Sequence, residues 1–273
     1  MPELPEVEAV RLELDPYFTH YRIEDVDVRR PDLRDPFPRR FRARLTGQTV
    51  ERFLRRAKYL LATLASEETL VMHLGMSGSF HVSAAGGPLR EIDTHDHVIF
   101  RMSSGAAIAF NDPRRFGMMT LLTPKQLAAH PVLSTLGPEP LSDAFDAAAL
   151  ARVFRGKKAP LKMALLDQGV VAGLGNIYAA EALHLAGLSP SRAARTLVTA
   201  GGEPRESAYR LTAAIKQVLT RAIARQTVKR YRSARFQVYD REGQPCLRPG
   251  CGGTIRRRTQ AGRSTFYCPR CQR

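Results

Sequence analysis

Four cysteines occupy the last 28 residues of the 273-residue chain, as Cys246-x4-Cys251 and Cys268-x2-Cys271 with sixteen residues between the pairs. Two close-set pairs at this distance are the donor pattern of a zinc ribbon, which needs four ligands at tetrahedral corners. A disulfide framework would instead spread its cysteines through a small secreted fold. Gly250, Gly252 and Gly253 permit the sharp turn around Cys251. With four thiolates and no open position, the expected role is structural, one Zn2+ per chain. A tail of 34 residues from Asp240 builds little apolar core, and metal binding would make up the deficit. Thr254–Arg258 and Ser264–Tyr267 are the expected ribbon strands, and Arg256, Arg257, Arg258, Arg263, Arg270 and Arg273 surround the cysteines.

The second chemical signal lies at the other end, in Met1-Pro2-Glu3-Leu4-Pro5-Glu6. Taken alone this is a capped helix start. Its place directly after Met1 adds chemistry, because removal of Met1 is expected and leaves Pro2 with a free secondary amine. An α-amine has a lower ordinary pKa than a lysine, so more of it is neutral and nucleophilic near pH 7. Such an amine can attack C1′ of a deoxynucleotide. The iminium left after loss of the base cannot discharge by losing an N–H, so it acidifies the C2′ proton and favours strand elimination. Glu3 stands beside it as a proton donor or acceptor.

The charge balance suits that chemistry. Lys and Arg total 42 against 26 Asp and Glu, a formal charge of +16. Such a surface attracts polyanions, nucleic acid foremost. No apolar run approaches the length needed to span a membrane, and no basic amphipathic stretch suggests a membrane surface. The N-terminus has neither a basic start nor an apolar h-region, so a cytoplasmic setting is expected, nucleoid-associated if the source is bacterial.

These residues need elements to hold them. Pro2 to about Pro16 predicts a helix, with Leu4, Val7, Val10, Leu12 and Leu14 as its apolar side and Glu3, Glu6 and Glu8 near its positive end. Short apolar or alternating runs follow: Ile23–Val28, Thr49–Leu54, Tyr59–Leu64, Thr69–Leu74, His97–Met102, Ala106–Phe110 and Met118–Leu122. Turn residues separate them, and Ser83–Asp96 reads as an exposed loop; many short strands so spaced predict a β-sandwich or barrel. Leu136–Asp143 is rich in Gly and Pro and reads as a linker. Beyond it, Ala147–Arg155, Leu161–Leu166, Asn176–Ala186 and Ser207–Arg225 have helical spacing, with Ser142 or Asp143 and Ser207 as candidate helix starts.

The ordered set MPELPEVE, Arg56–Tyr59, His73–Gly78, His95-Asp-His97, Asp112–Gly117, Gly173–Tyr178 and the cysteine ribbon resembles the formamidopyrimidine-DNA glycosylase family over essentially the whole chain. The resemblance implies an α+β multidomain protein: an N-terminal helix plus an antiparallel β-sandwich (1–135), a linker (136–146), a helix–two-turn–helix domain (147–239) and a zinc-ribbon hairpin (240–273). It implies base-excision repair, with glycosylase and β,δ-lyase activity on double-stranded DNA carrying damaged bases or abasic sites, by a protein taken to act as a monomer. Pro2 matches the nucleophile, Glu3 the catalytic acid and Glu6 a further carboxylate nearby. Lys58 matches a lysine for proton transfer and phosphate contact, and Arg263 the arginine that grips phosphates at the lesion. Met76, Arg114 and Phe116 match the residues that fill the hole left by a flipped base. His95 and Lys158 match backbone contacts, with Lys162 a helical turn beyond Lys158. Asn176 opens a helix after two glycines, where phosphate binding is natural. His73 has the simpler reading of a strand histidine satisfying a local hydrogen bond.

The chain departs from the family pattern in two places. The glycine- and threonine-rich loop that closes over 8-oxoguanine is replaced within Ala222–Tyr239 by a shortened segment holding Lys229, Arg230, Arg232 and Arg235. Lesion preference is therefore open among formamidopyrimidines, hydantoins, oxidised pyrimidines and abasic sites. The first cysteine pair is also longer than the usual Cys-x2-Cys. Two alternatives accompany the main reading. One is a relative resembling endonuclease VIII, which is expected to carry glycine where Leu4 stands. The other is a non-catalytic zinc-ribbon protein that binds damaged DNA.

Overall fold

The computed structural model describes residues 2–87, 91–226 and 236–273. The chain divides into two compact units, Met1–Ser134 and Thr135–Arg273.

The first unit opens with helix α1, Leu4–Phe18. Glu3 is its extended N-cap, joined to Glu6 in a reciprocal capping box, and Pro5 lies in the first turn, where no N–H is needed. The helix runs past Pro16 because Phe18 is a core residue, stacked on Phe53 at 5.1 Å and set edge-on to Phe100. Leu12, expected on the apolar side, is exposed instead, while Leu4, Val7 and Leu14 are buried. Beneath the helix lie two antiparallel four-stranded sheets. One has the order β1 (Ile23–Val28), β6 (Asp96–Met102), β7 (Ala107–Asn111), β5 (Ser79–Ser83). The other has β2 (Val50–Arg56), β3 (Tyr59–Leu64), β4 (Thr69–His73), β8 (Met118–Leu122). Their inward residues share one core with α1, as in a sandwich. Three elements escape the sequence pattern. Strand β5 buries only Phe80, and the helices α2 (Phe41–Leu45) and α3 (Pro124–Ala128) are each a little over one turn, too short for periodicity to register.

The second unit is helical around α6, Asn176–Ala186, most of whose side chains are buried. α4 (Ala147–Phe154), α5 (Leu161–Leu166) and α7 (Glu206–Gln226) contribute to the same core. α4 is capped by Asp146, whose carboxylate accepts from Ala149 N at 2.6 Å, rather than by Ser142 or Asp143. Ser207 is an inner residue of α7, which starts one position earlier. α6 ends at Gly187, where positive φ lets Leu188 N–H return to Leu183 O at 2.9 Å. The unit finishes in a hairpin of β9 (Arg256–Gln260) and β10 (Arg263–Tyr267). β9 lies two residues beyond its expected place because the turn Ala261-Gly262, with φ of +45° and +73°, pairs Arg263 with Gln260. Among the described residues, no helix is long and apolar enough to cross a membrane.

Candidate functional site

The N-terminal group sits at the head of α1. Pro2 is partly exposed, and Glu3 is only 2% exposed. Glu3 N–H donates to Glu6 Oε2 at 2.8 Å, so Glu6 fixes the backbone just beyond Pro2. Lys58 occupies the two-residue turn between β2 and β3, after Ala57 at positive φ. It is buried, at 9% exposure. Glu8 ties the two elements together. It accepts from Arg11 Nε at 2.8 Å and Arg55 Nε at 2.7 Å, while Arg55 NH1 reaches Ala57 O at 3.1 Å.

Met76 and Phe116 are both 44% exposed, high for large apolar side chains in a folded unit. They stand on the loops β4–β5 and β7–β8, with the Arg114 guanidinium 4.7 Å from the Phe116 ring centroid. The loops meet backbone to backbone. A Cβ on Gly75 would fall 2.3 Å from the Phe116 carbonyl carbon, and Gly75 has φ of +62°. His73 accepts from Gly75 N–H at its Nδ1, 3.0 Å away, and its ring lies 4.9 Å from Tyr59. Burial, reinforced by the charges of Lys58 and Arg34, pushes the His73 pKa down to about 4, so the ring is neutral. His95 is exposed in the turn just before β6.

In the second unit, Lys158 is exposed but precedes α5 rather than lying on it. Lys162 does not share that surface, because it is fully buried. Its Nζ donates to Ser264 O at 2.8 Å and Thr265 Oγ1 at 2.7 Å, and Asn176 Nδ2 also donates to Ser264 O, at 3.0 Å. Asn176 thus spends an amide hydrogen on the hairpin, and its Oδ1 is buried without a partner. Both donors hold the residue next to Arg263, which is exposed beside the hairpin turn.

The four cysteine sulfurs lie within 4.8 Å of one another. Cys246 and Cys271 are 3.8 Å apart and Cys251 and Cys268 3.6 Å, close to the ~3.8 Å edge of a tetrahedron with Zn–S bonds of about 2.3 Å. Burial, with the neighbouring cysteines, pushes the Cys271 thiol far up, a penalty that a cation at the centre removes. A Cβ on Gly253 would lie 2.7 Å from Cys268 Sγ, so only glycine fits against the cluster. The residues fit one structural Zn2+. His184 Nε2 approaches Cys246 Sγ at 3.3 Å. The longer first knuckle has its own anchor: Arg248 donates to the carbonyls of His184 and Leu185 at the C-terminal end of α6.

Sequence reasoning overlooked three supports. Arg248 gave no signal beyond the unusual spacing. Glu181, whose carboxylate receives the N–H groups of Gln237, Val238 and Tyr239 at 2.8–2.9 Å, resembles any helix glutamate. Asp112 opens the Asp112–Gly117 motif, whose pattern assigns it no role. The replaced loop at 227–235, with Lys229, Arg230, Arg232 and Arg235, and the state of Met1 lie outside the described residues.

A two-sheet unit presenting apolar loop tips, followed by a helical unit ending in a four-cysteine hairpin, defines a multidomain zinc-finger protein of the α+β class. Residues 1–119 match the formamidopyrimidine-DNA glycosylase N-terminal domain, 136–232 the H2TH domain of the same enzymes, and 243–273 the zinc finger found in FPG and IleRS. A formamidopyrimidine-DNA glycosylase from Bradyrhizobium diazoefficiens is 56% identical, with all of both chains covered. The Lactococcus lactis enzyme, solved non-covalently bound to DNA containing an AP site, superposes with a TM-score of 0.83 at 30% identity, and MutM in complex with carbocyclic 8-oxo-G DNA with 0.85 at 32%. Both comparisons cover 100% of each chain. The chain belongs to the formamidopyrimidine-DNA glycosylase family.

Proposed function

We infer that the protein is a base-excision-repair DNA glycosylase and AP lyase acting on double-stranded DNA with oxidised purines, formamidopyrimidines first, or abasic sites. The observation that carries this is the exposed Met76–Arg114–Phe116 set on two interlocked loops, in a chain whose relatives bear that name and are solved on damaged DNA.

In this reading the Met76 and Phe116 tips enter the stack, and Arg114 bonds the base left without a partner. The Pro2 amine attacks C1′ of the extruded nucleotide. The C1′–N bond breaks and the base leaves protonated. The Pro2 nitrogen gives up its N–H proton, the sugar ring opens at C1′–O4′ with Glu3 supplying the proton to O4′, and the nitrogen lone pair closes an iminium between Pro2 and C1′. Loss of the C2′ proton, with Lys58 assisting proton transfer, expels the 3′ phosphate, and a second elimination expels the 5′ phosphate gripped by Arg263. His95, Lys158 and Asn176 would hold the strand. The Zn2+ supplies no chemistry and keeps the Arg263 hairpin folded. The working domains are 1–135, 147–239 and 240–273, joined by 136–146, and the setting is cytoplasmic.

The test is borohydride trapping on duplexes carrying a formamidopyrimidine, 8-oxoguanine, thymine glycol or an abasic site. A covalent protein–DNA band that disappears in Pro2→Gly, with duplex binding retained, is the expected result. No band on any duplex, once Met1 is shown to be absent, would sink the enzyme reading.

A further inference from the structure

We propose that Asp112 is a positioning residue that fastens three DNA-probing segments of the first unit into one rigid piece. The proposal rests on the functional reading above for what the piece does, but not for its existence. Asp112 is fully buried, and both carboxylate oxygens are occupied. Oδ1 accepts from the Ser77 hydroxyl at 2.5 Å and Oδ2 from Gly117 N–H at 2.7 Å. Ser77 directly follows Met76, and Gly117 directly follows Phe116, so one carboxylate holds the two tips from behind. The Ser77 oxygen also receives the Arg114 N–H at 3.3 Å, which brings in the third member of the set.

The backbone of Asp112 extends the link to a third segment. Its N–H donates to His95 O at 3.0 Å, and its carbonyl accepts from the buried His97 Nε2 at 2.9 Å. Gly75 and Gly117 leave no slack. A Cβ on Gly117 would lie 2.7 Å from the Phe110 ring and 3.0 Å from Asp112 Oδ2. These hydrogen bonds lie where water cannot compete, which strengthens them and holds their geometry. Forcing apolar tips into a base stack needs such a backing, since a loose loop yields before the stack does.

The chain contains no tryptophan, so Phe116→Trp places a sole indole at the tip. Ser77→Ala removes the hydroxyl link and leaves Asp112 Oδ1 without that donor while keeping the acid itself, Asp112→Asn weakens the hub, and Ser77→Thr restores the hydroxyl. In the free protein carrying Phe116→Trp, Ser77→Ala and Asp112→Asn should raise acrylamide quenching of the indole at least twofold, and Ser77→Thr should return it to the starting value. With Phe116 itself in place, single-turnover excision from a formamidopyrimidine duplex should slow tenfold or more in the same two variants. Trapping on an abasic duplex, with no base to displace, should change less than threefold. Unaltered quenching in both variants overturns the proposal, as does equal slowing on both substrates without rescue by Thr. If the wild-type protein traps no DNA, the activity reading fails while quenching still decides the positioning claim.

Discussion

At the scale of single residues, His73 shows how a charged site keeps one member neutral. Its ordinary pKa is 6.5 and its folded value is about 4, with burial the main cause and Lys58 and Arg34 adding repulsion. Between these values the unfolded chain binds a proton that the folded chain refuses. Stability from the neutral ring is therefore complete above pH 6.5 and is lost as pH falls toward 4, by at most about 3 kcal/mol. His73→Gln, which keeps an acceptor for Gly75 N–H and does not titrate, should flatten that part of the profile. Thermal melts at pH 7 and pH 4.5 check it: the wild type should lose clearly more than the variant, and equal losses would remove His73 from the account.

At the scale of elements, the hairpin that carries Arg263 is held by metal, by turn geometry and by two polar anchors. Ala261 occupies a left-handed position at φ +45°, where an L-residue is strained. Ala261→Gly should relieve the strain and raise stability by about 1 kcal/mol, read from denaturant unfolding; a destabilised variant would contradict the turn type. The zinc cluster does more, since the small core around Val238, Ile255 and Phe266 is part of its packing. Cys268→Ser should abolish the single bound zinc and weaken duplex affinity tenfold or more, measured by metal content and fluorescence anisotropy. Lys162 and Asn176 converge on Ser264 O, so the helical unit fixes the root of the strand while zinc fixes its far end.

Across the whole molecule, positive charges exceed negative ones by sixteen, and among the described residues Arg256, Arg257 and Arg258 of β9 and Arg270 beside the second cysteine pair are exposed. Phosphate neutralisation then dominates affinity, and binding to an undamaged duplex should fall on the order of a thousandfold between 50 and 200 mM salt. A flat response by anisotropy titration would exclude that mode. The exposed Met76 and Phe116 contribute little to this salt-dependent term, so their removal should leave the slope unchanged.

The spacing of Cys246, Cys251, Cys268 and Cys271 was enough to read a structural zinc, because tetrahedral chemistry is written in short sequence intervals. The helices α5 and α6 were legible to the residue, since helical periodicity and flanking breakers such as Pro160, Gly175 and Gly187 are local, whereas the caps of α4 and α7 were not. The strand runs were legible for the same reason, except β5, where only one side chain is buried, and β9, which the hairpin turn sets two residues later. Other facts depended on neighbours remote in sequence. Nothing in the local sequence marks Lys58 or Lys162 as buried, yet both are, and Lys162 owes this to carbonyl and hydroxyl partners more than a hundred residues away. Asp112 stood in the sequence only as the first residue of the Asp112–Gly117 motif, and only the approach of Ser77 and His95 makes it a junction. Burial and hydrogen-bond partners are set by the packing of distant segments, so tertiary structure alone decided them.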